Sequence, residues 1–232
     1  MKVEVLFPEF CNLYGDISNM TYLKQCLPDA EFIYTSYEQE PAFVSQDVQF
    51  IYMGTMTESA QEAVREKLQP YVEKIEESIA KKVVWLVTGN AIEIFCDYIQ
   101  NEDGTKVPGL AMFPMNAQRD MMHRHNSLFL GEVDGIEVVG FKSQFSMLYG
   151  NNQNNYFMKA SRGIGINETT EFEGIRKENF FATYVLGPIL VMNPKLTKML
   201  LQKAGVENPK LAFEEDALKA YEIRYKEFLK RA

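Results

Sequence analysis

VVWLVTGNAIEIF, residues 83–95, is the most apolar short run in the chain, and its reading decides the fold. Residues 83–87 have the composition of a strand buried on both faces, the habit of parallel sheets. Thr88-Gly89-Asn90 breaks the run, and a helical pattern resumes over residues 91–98. Working outward, residues 2–7 (KVEVLF), 31–35 (EFIYT) and 48–53 (VQFIYM) predict three more strands. Between them, residues 16–26 predict a helix capped by Asp16 or Ser18, with Tyr22, Leu23 and Cys26 toward the core. Residues 57–78 predict a long charged helix, divided or kinked at Pro70. Strands and helices in alternation are the signature of a parallel sheet covered on both faces.

The second half reads differently. Residues 110–113, 127–133 and 136–141 predict strands, the last two joined by the hairpin signal Asp134-Gly135. Residues 181–185 predict a further strand, followed by Gly187-Pro188. Residues 193–204 predict a helix with Asn193 as its cap and Pro194 at its first position, and residues 214–232 a charged amphipathic one. The expected fold is α/β: a flavodoxin-like three-layer sandwich, mostly parallel, with an antiparallel extension.

Composition narrows the function classes. The 232 residues carry 24 Lys+Arg and 32 Asp+Glu, a net charge of −8, which argues against binding nucleic acid through phosphate neutralisation. No repeat, low-complexity tract or linker interrupts the chain, so a single domain over residues 1–232 is expected. No apolar run is long enough to predict a membrane span, and the first residues read as a strand rather than a signal peptide. Cys11, Cys26 and Cys96 are widely spaced, which predicts free thiols in a cytoplasmic protein. With His123 and His125 they form no ligand cluster, so neither a metal nor a cofactor is expected.

In parallel sheets ligands sit beyond the carboxyl ends of the strands. That directs attention to residues 54–58, 88–90 and 186–188. Thr88-Gly89-Asn90 has the layout of a nucleophile elbow, a buried strand turning sharply into a helix. By pattern alone most such junctions are only connections. Glu93 reads as an exposed residue on the following helix, and Cys96 as a small buried one. Cys11, beside the loop 12–15, has a pocket role open to it but no base at hand. His123 and His125 read as a solvated or surface-contact pair, and Met112, Met115, Met121 and Met122 as core filling or chance, with an adaptable contact surface as the alternative.

Five segments, in order and at comparable spacing, add a resemblance. NLYGDISN (12–19), IYMGTMTESAQ (51–61), VVWLVTGNAIEIF (83–95), VVGFKSQFSMLYGNN (138–152) and ATYVLGPILVMNPKLTKMLL (182–201) are similar to segments of class I (triad) glutamine amidotransferases. Within that class they resemble the cobyric-acid-synthase-like group, and in particular the amidotransferase subunits of lipid II isoglutaminyl synthases. The resemblance implies a strand-loop-helix elbow whose Cys attacks the glutamine amide, with a His of a YLHGP segment as base. Here those positions read as Thr88 and Leu186, so no catalytic residue is expected. Gly54, Thr55, Thr88, Gly89, Asn90, Gln144 and Leu186 remain as candidates for a ligand pocket.

Two functions follow from the resemblance. One is a catalytically degenerate amidotransferase-like protein that binds a small amide or amino acid, or a partner such as a Mur-ligase-like synthetase. The other is an active glutamine amidotransferase, or another enzyme rebuilt around Thr88, Glu93 or Cys11.

Overall fold

The computed structural model describes residues 1–230. In chain order its strands are β1 (Lys2–Leu6), β2 (Glu31–Thr35), β3 (Phe50–Met53), β4 (Val84–Thr88), β5 (Cys96–Gln100), β6 (Lys106–Pro108), β7 (Phe113–Arg119), β8 (His125–Val133), β9 (Ile136–Gln144), β10 (Ser146–Tyr149), β11 (Met158–Arg162), β12 (Phe172–Glu173), β13 (Ile175–Lys177) and β14 (Phe180–Thr183). The helices are α1 (Ser18–Cys26), α2 (Glu58–Leu68), α3 (Val72–Ala80), α4 (Ile189–Met192), α5 (Pro194–Lys203) and α6 (Glu214–Lys230). The last two positions of the helix predicted over residues 214–232 lie outside the described residues.

The main sheet has six strands in the order β13-β14-β4-β3-β1-β2. Five run parallel, and β13 joins antiparallel at one edge. β4 is central, and all five of its residues are buried, as the apolar run requires. Its side chains alternate between two cores. Trp85 and Val87 join Val64, Leu68 and Phe180 on one face, and Val84 and Leu86 join Leu23, Phe181 and Leu200 on the other. The mixed α/β sandwich expected from the sequence is therefore the observed one. Trp85 buries its whole ring and satisfies its one polar atom by donating Nε1–H to Ser78 Oγ at 2.9 Å. Helix α2 begins at Thr57, whose hydroxyl accepts from Ala60 N. It ends before Pro70, where a short 3-10 turn, Gln69–Tyr71, passes the chain to α3.

The antiparallel extension is larger than predicted and forms two four-stranded sheets, β10-β7-β5-β6 and β12-β11-β8-β9, antiparallel throughout except for the parallel β5–β7 pair. The β8–β9 hairpin turns at Asp134 (φ 49°) and Gly135 (φ 77°), the two left-handed residues that a tight hairpin of this hand needs. Three local expectations are corrected. Residues 91–98 are not one helix: Gly89–Phe95 winds as tight 3-10 turns, and Cys96 opens strand β5. The strand expected over residues 110–113 begins only at Phe113. Asn193 does not cap α5 through its side chain; its Oδ1 accepts from Val139 N on β9 at 2.8 Å, and its Nδ2 donates to the Val139 carbonyl at 2.9 Å. The strand claims the side chain because its backbone groups are buried there and need partners.

A buried ion pair ties together the two edge strands of the sheet β12-β11-β8-β9. Lys142 on β9 donates to Glu173 on β12 and to the Gly165 carbonyl, and both charged side chains are wholly buried. Glu173 also accepts from Thr183 Oγ1 and Tyr184 N, each at 2.8 Å, so the pair anchors the segment that follows β14. Burial pushes the Lys142 ammonium below its ordinary pKa, and the Glu173 carboxylate opposes that shift. Lys142→Met leaves Glu173 charged and uncompensated in the core, and should cost about 3–5 kcal/mol of unfolding free energy. Urea denaturation checks this, with the exposed Lys159→Met, whose Glu171 pair is solvated, expected to change stability by less than about 1 kcal/mol.

Candidate functional site

The loops after β1, β3, β4 and β14 converge at the carboxyl edge of the main sheet. Thr88 ends β4 in extended conformation (φ −118°, ψ 150°), and Gly89 turns the chain with φ 63°. Glycine fits that left-handed turn without strain. It also fits for space: a Cβ on Gly89 would stand 2.2 Å from Thr55 Oγ1 and 2.8 Å from Thr55 Cβ. The Thr55 side chain thus fills the volume above the turn.

Thr55 is held there by Asp16. One carboxylate oxygen, Oδ2, accepts from Thr55 N at 2.9 Å, Thr55 Oγ1 at 2.6 Å and Thr88 Oγ1 at 2.7 Å. The Tyr52 hydroxyl lies 3.1 Å from Thr88 Oγ1 and donates to the Asp16 carbonyl at 3.0 Å, while Asn19 Nδ2 donates to Tyr52. Asn19 Oδ1 in turn accepts from Leu190 N. Burial drives the Tyr52 phenol well above its ordinary pKa, so it remains a proton donor. Thr88, read from the sequence as facing a pocket, is instead a fully buried member of this cluster. Asp16, read as a helix cap, is its centre.

Asn90 locks the adjoining loop by exchanging two hydrogen bonds with the Met56 backbone, at 3.1 and 2.8 Å. Gly54, at the end of β3, abuts the Cys11 carbonyl. Leu186 sits three residues past Thr183, which pairs with Thr88 across β14 and β4. It is buried, and its backbone exchanges hydrogen bonds with Phe141 on β9. Gly54, Thr55, Thr88, Gly89 and Asn90 are therefore brought together in a closed, interlocked edge.

A second polar cluster lies on the other side of the turn. Glu93, expected to be exposed, is fully buried, as are its neighbours Ala91, Ile92, Ile94 and Phe95 along the 3-10 segment, which runs through the core rather than over the surface. Its carboxylate accepts from Ser146 Oγ, Tyr184 OH (2.8 Å) and Gln61 Nε2 (2.9 Å). Arg119 Nη2 donates to Gln61 Oε1 at 2.7 Å, placing a guanidinium behind the carboxylate. Burial raises the Glu93 pKa, and the donors and Arg119 only partly oppose it.

Ser146, Arg119 and Gln144 line an open cleft of about 700 Å³, to which His123 and His125 also contribute. The two histidines do not form an extended pair. His123 lies in the exposed turn, 3.0 Å from both Asp120 oxygens, and His125 starts β8 and reaches Ser127 Oγ. Gln144 donates Nε2–H to the Ser146 carbonyl at 2.6 Å, and its Oε1 is buried without a partner. Gln144 thus borders open space, and Asn90 is only partly buried. A larger concavity of about 880 Å³ lies elsewhere, and its cations are largely spent on ion pairs such as Arg176–Asp134.

The thiols are inert. Cys11, Cys26 and Cys96 are all buried, and burial pushes each pKa upward. Met115 is core, as expected, while Met121 and Met122 are exposed. Among the described residues no three His, Cys, Asp or Glu side chains are grouped to hold a metal, and no helix is long and apolar enough to cross a membrane. Gln61, Arg119, Ser146 and Tyr184 carried no recognisable sequence signal; only the placement of Glu93 unites them.

No family model matches the chain. It is 23% identical over 195 residues to the lipid II isoglutaminyl synthase (glutamine-hydrolyzing) subunit GatD of Staphylococcus aureus (strain N315), covering 83% of this chain and 79% of that one. The chain is a distant homologue of GatD, with a glutamine-amidotransferase-like fold. PurLQS from Thermotoga maritima superposes with a TM-score of 0.57 at 11% identity, over 87% of this chain and 97% of that one. A glutamine amidotransferase from Thermotoga maritima gives 0.52 at 10% identity, over 96% and 92%. The glutaminase domain of Trypanosoma brucei CTPS, with bound acivicin, gives 0.51 at 10% identity, over 92% and 98%.

Two measurements probe the clusters. Gly89→Ala should destabilise the chain by about 2–4 kcal/mol, from overpacking and a left-handed alanine. Thr55→Gly in the same chain removes every atom in collision, so the double variant should be more stable than the sum of the two single effects by at least about 1 kcal/mol. For Glu93, the folded pKa lies above the ordinary value of 4.5, so between the two the native state holds a proton that the unfolded chain has lost. Stability therefore falls as pH rises through that window. Wild type should lose stability relative to Glu93→Gln over that interval; parallel stability–pH curves would contradict the assignment.

Proposed function

We propose that residues 1–232 form a single, catalytically degenerate amidotransferase-like domain that works in the cytoplasm as a binding or partner subunit. The observation that carries this reading is the occupied elbow. Amide hydrolysis at such a turn needs a nucleophile projecting from the left-handed residue and a base within hydrogen-bond reach. The left-handed residue here is Gly89, which has no side chain, and the volume a side chain would enter belongs to Thr55. The hydroxyl of Thr88, one residue earlier, is buried and donates to Asp16. Leu186, at the position that the resemblance gives to the base, cannot accept a proton. Nucleophile and base act as a unit, so the absence of both removes most of the rate.

GatD is a subunit of a synthase, which supports a synthetase, Mur-ligase-like or other, as the partner. The cleft bordered by Gln144, with its free Oε1, supports a small amide or amino acid as ligand.

A second reading, an active enzyme with a rebuilt site, rests on Ser146 and Glu93. A hydroxyl at a cleft, hydrogen-bonded to a buried carboxylate of raised pKa, has the parts of a nucleophile and base.

The purified chain should release no ammonia from glutamine above the blank. A thiol-reactive glutamine analogue should leave all three cysteines unlabelled until the protein is unfolded. Enzymic ammonia release would overturn the degenerate reading. Labelling of Ser146 by a fluorophosphonate, lost in Glu93→Gln, would establish the second reading in its place.

A further inference from the structure

The chain's exposed apolar side chains are unevenly placed. Of the eleven large ones that stand exposed among the described residues, six are Phe10, Leu13, Tyr14, Met121, Met122 and Tyr149. The first three sit in the loop after β1, Met121 and Met122 in the turn between β7 and β8, and Tyr149 ends β10. Leu13 N donates to the Thr55 carbonyl at 2.9 Å, which sets the first loop beside the start of α2. Glu58 of α2 and Met121 line one concavity of about 410 Å³, and Met122 and Tyr149 line the 700 Å³ cleft beside it. Glu102 and Arg119 border both. Tyr14 is held at φ 62° with nearly half of its surface exposed, a left-handed conformation that is unfavourable for an aromatic residue. Isolated exposed apolar residues need no explanation, but an arc of them around adjoining concavities, as Met121, Met122 and Tyr149 form here, marks an interaction surface.

The polar groups on this arc decide what it accepts. Glu58, Glu102 and Asp103 line the smaller concavity, and none makes an ion pair among the described residues. The cation there, Arg119, is nearly buried and has its two Nη groups committed to Glu62, Asn101 and Gln61. In the adjoining cleft Gln144 is 6% exposed, and its unpartnered Oε1 is an acceptor. Arg124, which makes no ion pair, lies on that cleft's wall and stacks on Phe145 at 4.4 Å, so the unpaired negative charge belongs to the smaller concavity. Apolar rim plus unpaired carboxylates calls for an apolar surface that brings its own cation. The chain's net charge of −8 attracts such a partner during encounter.

We propose that this face docks a partner protein through an apolar segment bearing Lys or Arg, its cation lying among Glu58, Glu102 and Asp103 and its apolar neighbours resting on Met121 and Met122. The proposal rests on the partner-subunit reading and gives it a surface and a chemistry. The carboxylates set which partner is accepted and how fast it arrives, and the apolar contacts hold it.

The test uses the full chain and two short fluorescent peptides, one of leucine and lysine, the other of leucine and glutamate, read by anisotropy. The Leu/Lys peptide should bind and the Leu/Glu peptide should not. Glu58→Gln with Glu102→Gln should weaken binding by about tenfold or more, and Met122→Ser by several-fold. A control pair on α6, Glu215→Gln with Asp216→Gln, should leave it unchanged. Circular dichroism and urea midpoints identify any variant that fails to fold, and a second pair, Glu102→Gln with Asp103→Asn, then takes its place. Equal weakening by the α6 pair, or equal binding of the two peptides, would overturn the proposal. Ammonia release from glutamine by the same preparation would overturn the degenerate reading and leave the peptide result standing, so the two failures are distinct.

Discussion

One carboxylate oxygen organises the carboxyl edge of this protein. Asp16 Oδ2 accepts three hydrogen bonds, two from Thr55 and one from Thr88, and so binds the loops after β1, β3 and β4 into a single piece. A buried carboxylate must find such donors or remain unsolvated. Each donor it finds here is a group that would otherwise be free at the turn. Thr55 is drawn over Gly89, Thr88 is drawn under it, and no room is left between them for a side chain on the turn itself. The closure of the edge is thus one electrostatic requirement met in one place rather than a set of separate substitutions.

The consequences spread through the layers. Because Thr88 stays in the strand, the left-handed turn falls on Gly89, and the following residues wind as 3-10 rather than as an α-helix. That segment runs through the core and brings Glu93 to Ser146, Tyr184 and Gln61. Tyr184 is in turn held by Glu173, which is paired with Lys142. Two buried polar systems therefore flank the turn and share the segment after β14. Such networks specify one arrangement when every member is satisfied. The free acceptor of Gln144 lies at the margin, where the network meets the open cleft.

Much of the scaffold was legible. The apolar run over residues 83–87 and the alternation of strands and helices around it predicted the parallel sheet, because burial on both faces leaves a composition that few other environments tolerate. Asp134-Gly135 predicted its hairpin for a local steric reason. The failures are equally physical. Glu93 read as exposed because a surface helix was assumed for residues 91–98, whereas the 3-10 segment runs through the core. Asn193 read as a cap because local preference says so, but a buried strand competed for the same side chain. Strand β5 escaped notice because residues 91–98 read as one continuous helix, a pattern that only the pairing of Cys96–Gln100 with β6 and β7 overrides.

By itself the sequence determined the α/β class, the central buried strand and the loops after β3, β4 and β14 as the place to look for a site, since these depend on local periodicity, turn chemistry and the topology of parallel sheets. It also displayed Thr88 and Leu186 where the resemblance leads one to look for a nucleophile and a base. Only the tertiary structure decided that the turn falls on Gly89 and that Thr55 fills the space above it. It alone put Asp16 and Glu93 at the centres of buried polar clusters. Those facts depend on contacts between residues as much as 91 positions apart, such as Glu93 with Tyr184, and on the absence of water around a charge. No pattern along the chain records either one.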